Sequence, residues 1–219
     1  MTMTPPLREA ALTAHIVSSV GWLGAIVPYL ALAIAGLTGS EAQMARAAFV
    51  SMEVIGWYVI VPFSLAALLT GLVQALGTQW GLFRHWWILA KFALTIVAVA
   101  VLLRHMQDVS RVAQLARATT VSAADFRPEL IHVAGGLLIV LAATMLSVFK
   151  PWGMTPYGLA KAKQTESPFR SSDPVAEARE PVFVVSKPRW GRIIGFHAVG
   201  LALLAIIILH LTGGGFRHH

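Results

Sequence analysis

The chain has 219 residues, of which 57% are hydrophobic and 12% charged, and its mean hydropathy is +0.70. Ordinary soluble domains are nearer 45–50% apolar and about 25% charged, so a soluble globular domain is excluded. Cysteine is absent, which removes disulfides, Cys-ligated zinc, iron–sulfur clusters and covalently attached haem from consideration and leaves His, carboxylate and Met as the available metal ligands. The net charge of +7 comes from basic residues that flank apolar runs, a pattern suited to anionic lipid headgroups and not to nucleic acid.

A membrane span needs about 20 apolar residues to cross about 30 Å of hydrocarbon. By that rule the sequence predicts an all-α protein, a bundle of five transmembrane helices in one membrane domain, with the lipid bilayer as its first partner. The spans fall at approximately 10–37, 47–76, 86–103, 129–149 and 193–212. Pro28 and Pro62 are potential kink sites in the first two. Between the third and fourth spans, residues 105–127 set Met106, Val109, Val112 and Leu115 at helical spacing, which predicts a helical extension or a helix in the membrane interface. Residues 151–189 are rich in Pro, Ser and charge and read as a flexible polar linker, with VFVV at 182–185 as a short strand candidate. The N-terminus offers no convincing small-residue cleavage site, so the first apolar stretch is read as a retained helix.

With five spans, Arg8, Arg84, Lys150 and the basic residues of the long linker share one side. Arg46, Arg104, Arg111, Arg117, Arg127 and Arg217 share the other. The first set is larger, so the N-terminus is expected in the cytoplasm and the C-terminus outside, in a bacterial inner membrane.

Ionisable residues inside spans are costly and point to function. Folding the spans antiparallel brings six of the eight His into two layers. His15 and His197 each fall roughly 8 Å inside the N-terminal side, from the helical rise of the turns that precede them. Two imidazoles at one depth on facing helices are the arrangement that axial ligation of haem b requires. Small neighbours (Ser18 and Ser19 beside His15, Gly195 and Gly200 beside His197) leave a slot for a flat ligand, although the same residues suit plain helix packing with a His hydrogen bond. Lys91 and Arg192 are placed to meet the propionates. His197 and His210 are about 20 Å apart along their helix and roughly 140° apart around it, so one haem is expected and not two.

The other layer holds His105, His132, His210 and Glu53, a ligand set for a zinc or copper ion or a proton relay. Asp108 and Glu129 are potential orienters of those ligands. The leading expectation is therefore a haem b protein, possessing cytochrome b-like oxidoreductase character, that passes electrons from a quinol or small reductant to a partner. The rival is a non-redox membrane protein that binds a divalent metal or moves protons through the second layer. No catalytic residue is assigned, and a homo-oligomer or a subunit of a membrane complex fits either reading.

The segments SVGWLGA (19–25), TGLVQALGTQWGLFRHWWILAKFALT (70–95) and VFKPWGMTPYG (148–158) resemble a group of uncharacterised bacterial multi-span integral-membrane proteins over about the first 160 residues. That resemblance implies a small helical membrane protein and carries no activity. In its paired His the chain is also similar to small b-type membrane cytochromes, but it lacks their two His on one face of one helix.

Overall fold

In the computed structural model, residues 3–39, 41–77, 81–118, 126–150, 152–170 and 189–212 are described. They form helices α1 (Pro5–Thr38), α2 (Ala42–Ile55), α3 (Val61–Gly77), α4 (Trp86–Ala118), α5 (Phe126–Phe149), α6 (Pro156–Arg170) and α7 (Arg189–Thr212). A single π-helical turn, Gly56–Ile60, joins α2 to α3. Four helices are long and apolar enough to cross a membrane: Pro5–Thr38, Ala42–Gly77, Trp86–Ala118 and Arg127–Phe149. Over the described residues α7 offers a shorter apolar stretch, Ile193–Leu204. Exposed Val20, Val27, Leu69, Leu76 and Val148 give the outer faces of these helices the apolar character that lipid contact demands.

Local chemistry explains the departures from the expected boundaries. Pro62 cannot donate to the carbonyl four residues back, and its ring crowds that position. The π turn immediately before it absorbs the mismatch, so a 36-residue apolar helix runs on without a break. The third span does not stop at Leu103. Met106, Val109, Ala113 and Ala116 are buried, which keeps the chain helical to Ala118 and makes residues 105–118 part of α4. Part of the expected flexible linker is also helical. Thr155 caps α6 by accepting from the Gly158 N–H at 3.1 Å, with Pro156 in the first turn where its missing donor costs nothing. The VFVV segment and the rest of 171–188 lie outside the described residues.

The helix α1 sits centrally against α2, α3 and α5, and α4 packs on α2, α3 and α5. The principal neighbour of α7 is α5. Trp22, Tyr29, Phe49, Met52, Ile139 and Leu146 are among the buried side chains of the core. On one end of the bundle the α3–α4 and α5–α6 connections are clamped together. Thr155 N–H donates to the Arg84 carbonyl at 2.9 Å, and the Thr155 hydroxyl donates to the Phe83 carbonyl at 2.5 Å. Gly158 lies so close to the Arg84 carbonyl that a Cβ there would overlap it. The start of α4 and the end of α5 are thus held at the same level, which sets the positions of Lys91 and Lys150.

Candidate functional site

Two polar groups lie inside the bundle, one towards each end. The first is built on His15 of α1. Its Nδ1 is 3.1 Å from the Ala67 carbonyl and 3.1 Å from the Thr70 hydroxyl of α3. A carbonyl only accepts, so Nδ1 carries the proton, and Nε2 is the ring's acceptor. Lys91 of α4 donates to that Nε2 at 3.4 Å. Gly71 makes room for the ring, since a Cβ there would stand 3.1 Å from His15 Cε1. His15 and Lys91 border a cavity of about 480 Å³ between α1, α3, α4 and α5. Its polar lining includes Gln74, Thr95, Ser147 and Lys150, and Trp22, Trp87 and Phe92 supply much of the apolar wall. Lys150 stands over the Trp87 ring, 5.8 Å from its centroid. The size and the mixture of apolar wall with a few converging polar groups are those of a small-molecule site.

His197 is not part of this cavity. Gly195, Ala198 and Ala202 form the buried stripe of α7, at the three- and four-residue spacing that lets two helix backbones approach. His197 lies about 130° away from the middle of that stripe by helical periodicity and is exposed, with its Nδ1–H donated to its own Ile193 carbonyl at 2.8 Å. The expected pairing of His15 with His197 is corrected accordingly: the small residues of α7 serve its contact with α5. Arg192 and His210 belong to α7, but their side chains lie outside the described residues. Lys91 turns inward to His15.

The second group joins α1, α4 and α5. Glu129 is 5% exposed and Tyr29 is 3% exposed. The Tyr29 hydroxyl donates to Glu129 Oε1 at 2.7 Å, and His105 Nε2 donates to the same oxygen at 2.9 Å. The His132 ring lies flat on that of His105, with centroids 4.2 Å apart and planes 5° from parallel. His132 Nδ1–H is donated to the Pro128 carbonyl at 2.8 Å. A second cavity, of about 70 Å³, borders Tyr29, His105 and His132. Gly136, one turn beyond His132, helps to open it, as a Cβ there would meet nothing. Trp22, Ala98 and Ile139 form a wall common to both cavities.

His105 and His132 therefore come together, but Glu53 does not join them. It pairs with Arg117 across 2.5 Å, and Arg117 is three turns beyond His105, about 18 Å along the axis of α4. The carboxylate of the His layer is Glu129, which the sequence reading treated as an outer orienter at a span's edge. Among the described residues, no three His, Asp or Glu side chains converge in a way that could hold a metal ion. Tyr29 is the residue that sequence reasoning missed; an uncharged phenol in a long apolar run gives no signal until its partner is known.

No family model matches the chain, and no curated protein or solved structure shows significant similarity to it.

Proposed function

We propose that the protein is a haem b-binding membrane protein in which the cavity at His15 and Lys91 receives the haem. The observation that carries this reading is the hydrogen bond from His15 Nδ1–H to the Ala67 carbonyl. Metal-bound imidazoles characteristically give their second nitrogen's proton to such an acceptor, which fixes the tautomer and leaves Nε2 as the ligating atom. His15 borders a cavity of about 480 Å³, Gly71 permits the ring's position, and haem binding would require Lys91 to release Nε2, to which it donates at 3.4 Å, and turn to a propionate. Lys91 and Lys150, both on the lining of the cavity, would supply positive charge for the propionates. The mostly apolar wall suits a porphyrin.

Bound haem would supply one-electron transfer. The chain's own residues would hold the imidazole in its tautomer, neutralise the propionates and keep water from the ring faces. We read the electron source as a quinol from the bilayer or a small reductant, and the acceptor as a partner protein or membrane complex. In this reading α7 completes a fifth span, the N-terminus is cytoplasmic and the membrane is a bacterial inner membrane. The larger count of Lys and Arg on the N-terminal side supports that orientation.

The test is the absorption spectrum of protein purified from haem-replete cells. A Soret band with reduced alpha band is expected, lost in His15→Ala and kept in His197→Ala. Protein that stays colourless after haem is supplied in solution overturns the proposal, as does an unchanged spectrum in His15→Ala.

A further inference from the structure

We infer that Glu129, with His105, His132 and Tyr29, is a proton-exchange site at the end of the bundle opposite Lys91. Ionisable residues inside membrane helices face the bundle interior or a cavity, and chains of Asp, Glu and His are the groups that carry protons there. Glu129 has the features that such a role needs. It is buried, and among the described residues its one ion-pair partner is His105, a group whose charge itself depends on a bound proton. Purely structural burial of a carboxylate would be better served by Arg, whose charge is permanent.

The surrounding groups are few. From α1 comes Tyr29, from α4 His105, and from α5 His132. Asp108 of α4 acts electrostatically on His132 and is itself engaged by Arg104 and Arg111 at the surface. Two stacked imidazoles cannot both be cationic cheaply, so uptake of one proton opposes uptake of a second. The transfer needs no redox partner. A proton arriving at Nδ1 of His105 makes that ring cationic. Its Nε2–H bond then breaks as an O–H bond forms at Glu129 Oε1, and the imidazole returns to neutral. The adjoining cavity of about 70 Å³ has room for water beside Tyr29, His105 and His132. Its common wall with the larger cavity, Trp22, Ala98 and Ile139, is apolar and separates this site from His15. The inference does not depend on haem.

The experiment is acid-minus-alkaline infrared difference spectroscopy on the full chain in phosphatidylcholine/phosphatidylglycerol nanodiscs, in H2O and D2O, between about pH 3 and about pH 9, a range that reaches below the ordinary carboxylate value because the Tyr29 and His105 donors favour the ionised carboxylate. A protonated-carboxyl band that moves in D2O is expected, absent in Glu129→Gln and retained in Glu53→Gln. Tyr29→Phe keeps the carboxylate and should change the midpoint of the band. After a pH jump, His105→Asn should slow its appearance at least about tenfold, as loss of a positioned proton carrier does. The inference is overturned if the band survives in Glu129→Gln, or if no carboxyl band changes over that range in the wild type. Should Glu129→Gln fail to fold, an unmoved midpoint in Tyr29→Phe overturns it.

Discussion

The hydroxyl of Tyr29 and the carboxylate of Glu129 meet at 2.7 Å across 100 residues of sequence. This contact ties the central helix to α5 deep inside the bundle. Interhelical hydrogen bonds in membrane proteins contribute about 0.6 kcal/mol on average and up to about 1–2 kcal/mol. Tyr29→Phe removes the bond while keeping the ring, so a loss of about 1 kcal/mol is expected in denaturant unfolding of the micelle-solubilised protein. Glu129→Ala leaves both the Tyr29 and His105 donors without their acceptor and should cost more than Tyr29→Phe, since an unsatisfied buried donor carries its full desolvation penalty. Equal stability of the two variants would contradict that ordering.

Gly71 gives a separate handle on His15. A Cβ at this position would stand 3.1 Å from His15 Cε1, closer than ordinary carbon–carbon contact at about 3.5–4.0 Å. Gly71→Ala is therefore expected to fold and to shift the imidazole by a few tenths of an ångström, with a changed Soret position or lower haem occupancy. Gly71→Leu occupies the place of the ring and should abolish binding. Haem content per protein, measured as the pyridine haemochrome, checks both; full occupancy in Gly71→Leu would separate His15 from the haem.

The membrane character, the apolar helices and the polar layers were legible in the sequence because each rests on local information: run length, charge position and helical rise. Which way a side chain turns about its helix was less so. Helical rise predicts similar depths for His15 and His197, yet Gly195, Ala198 and Ala202 turn α7 onto α5 and leave His197 outside. Glu53 looked intramembrane because of the apolar residues around it, but Arg117 reaches it from an α4 that continues three turns past His105. Glu129 looked like a terminal residue of a span, and its burial depends on Tyr29 approaching from α1. Depth is a one-helix property, whereas partner choice needs the packing of several.

The Glu53–Arg117 pair yields a contrast with Glu129. Its side chains are 17% and 45% exposed, so solvent screens the interaction, and pairs of this kind are worth about 0–1 kcal/mol. Glu53→Gln is expected to lower stability by no more than about 1 kcal/mol, with a smaller effect at high salt. Zinc or copper bound to the purified protein, if any, should be unaffected, because Glu53 is remote from His105 and His132. Loss of a stoichiometric metal in Glu53→Gln, read by elemental analysis, would contradict the separation of the two groups.

Lys150 couples backbone strain to the cavity. It closes α5 in the left-handed region, with φ 45°, and its N–H donates to the Leu146 carbonyl at 3.1 Å. Glycine is the usual residue at a helix end of this geometry, because a side chain there is crowded by its own backbone. A lysine in that place costs on the order of 1 kcal/mol, and here it sets a cationic side chain at the edge of the His15 cavity, over Trp87. Lys150→Gly should relieve the strain while removing the charge. The expected result is a gain of up to about 1 kcal/mol in the unfolding free energy of the haem-free protein, together with weaker haem binding in equilibrium titration. Lys150→Ala removes the charge and keeps the strain, so it should lose affinity to a similar degree without the gain in stability. If Lys150→Gly binds haem as tightly as the wild type, the lysine has no part in holding a propionate.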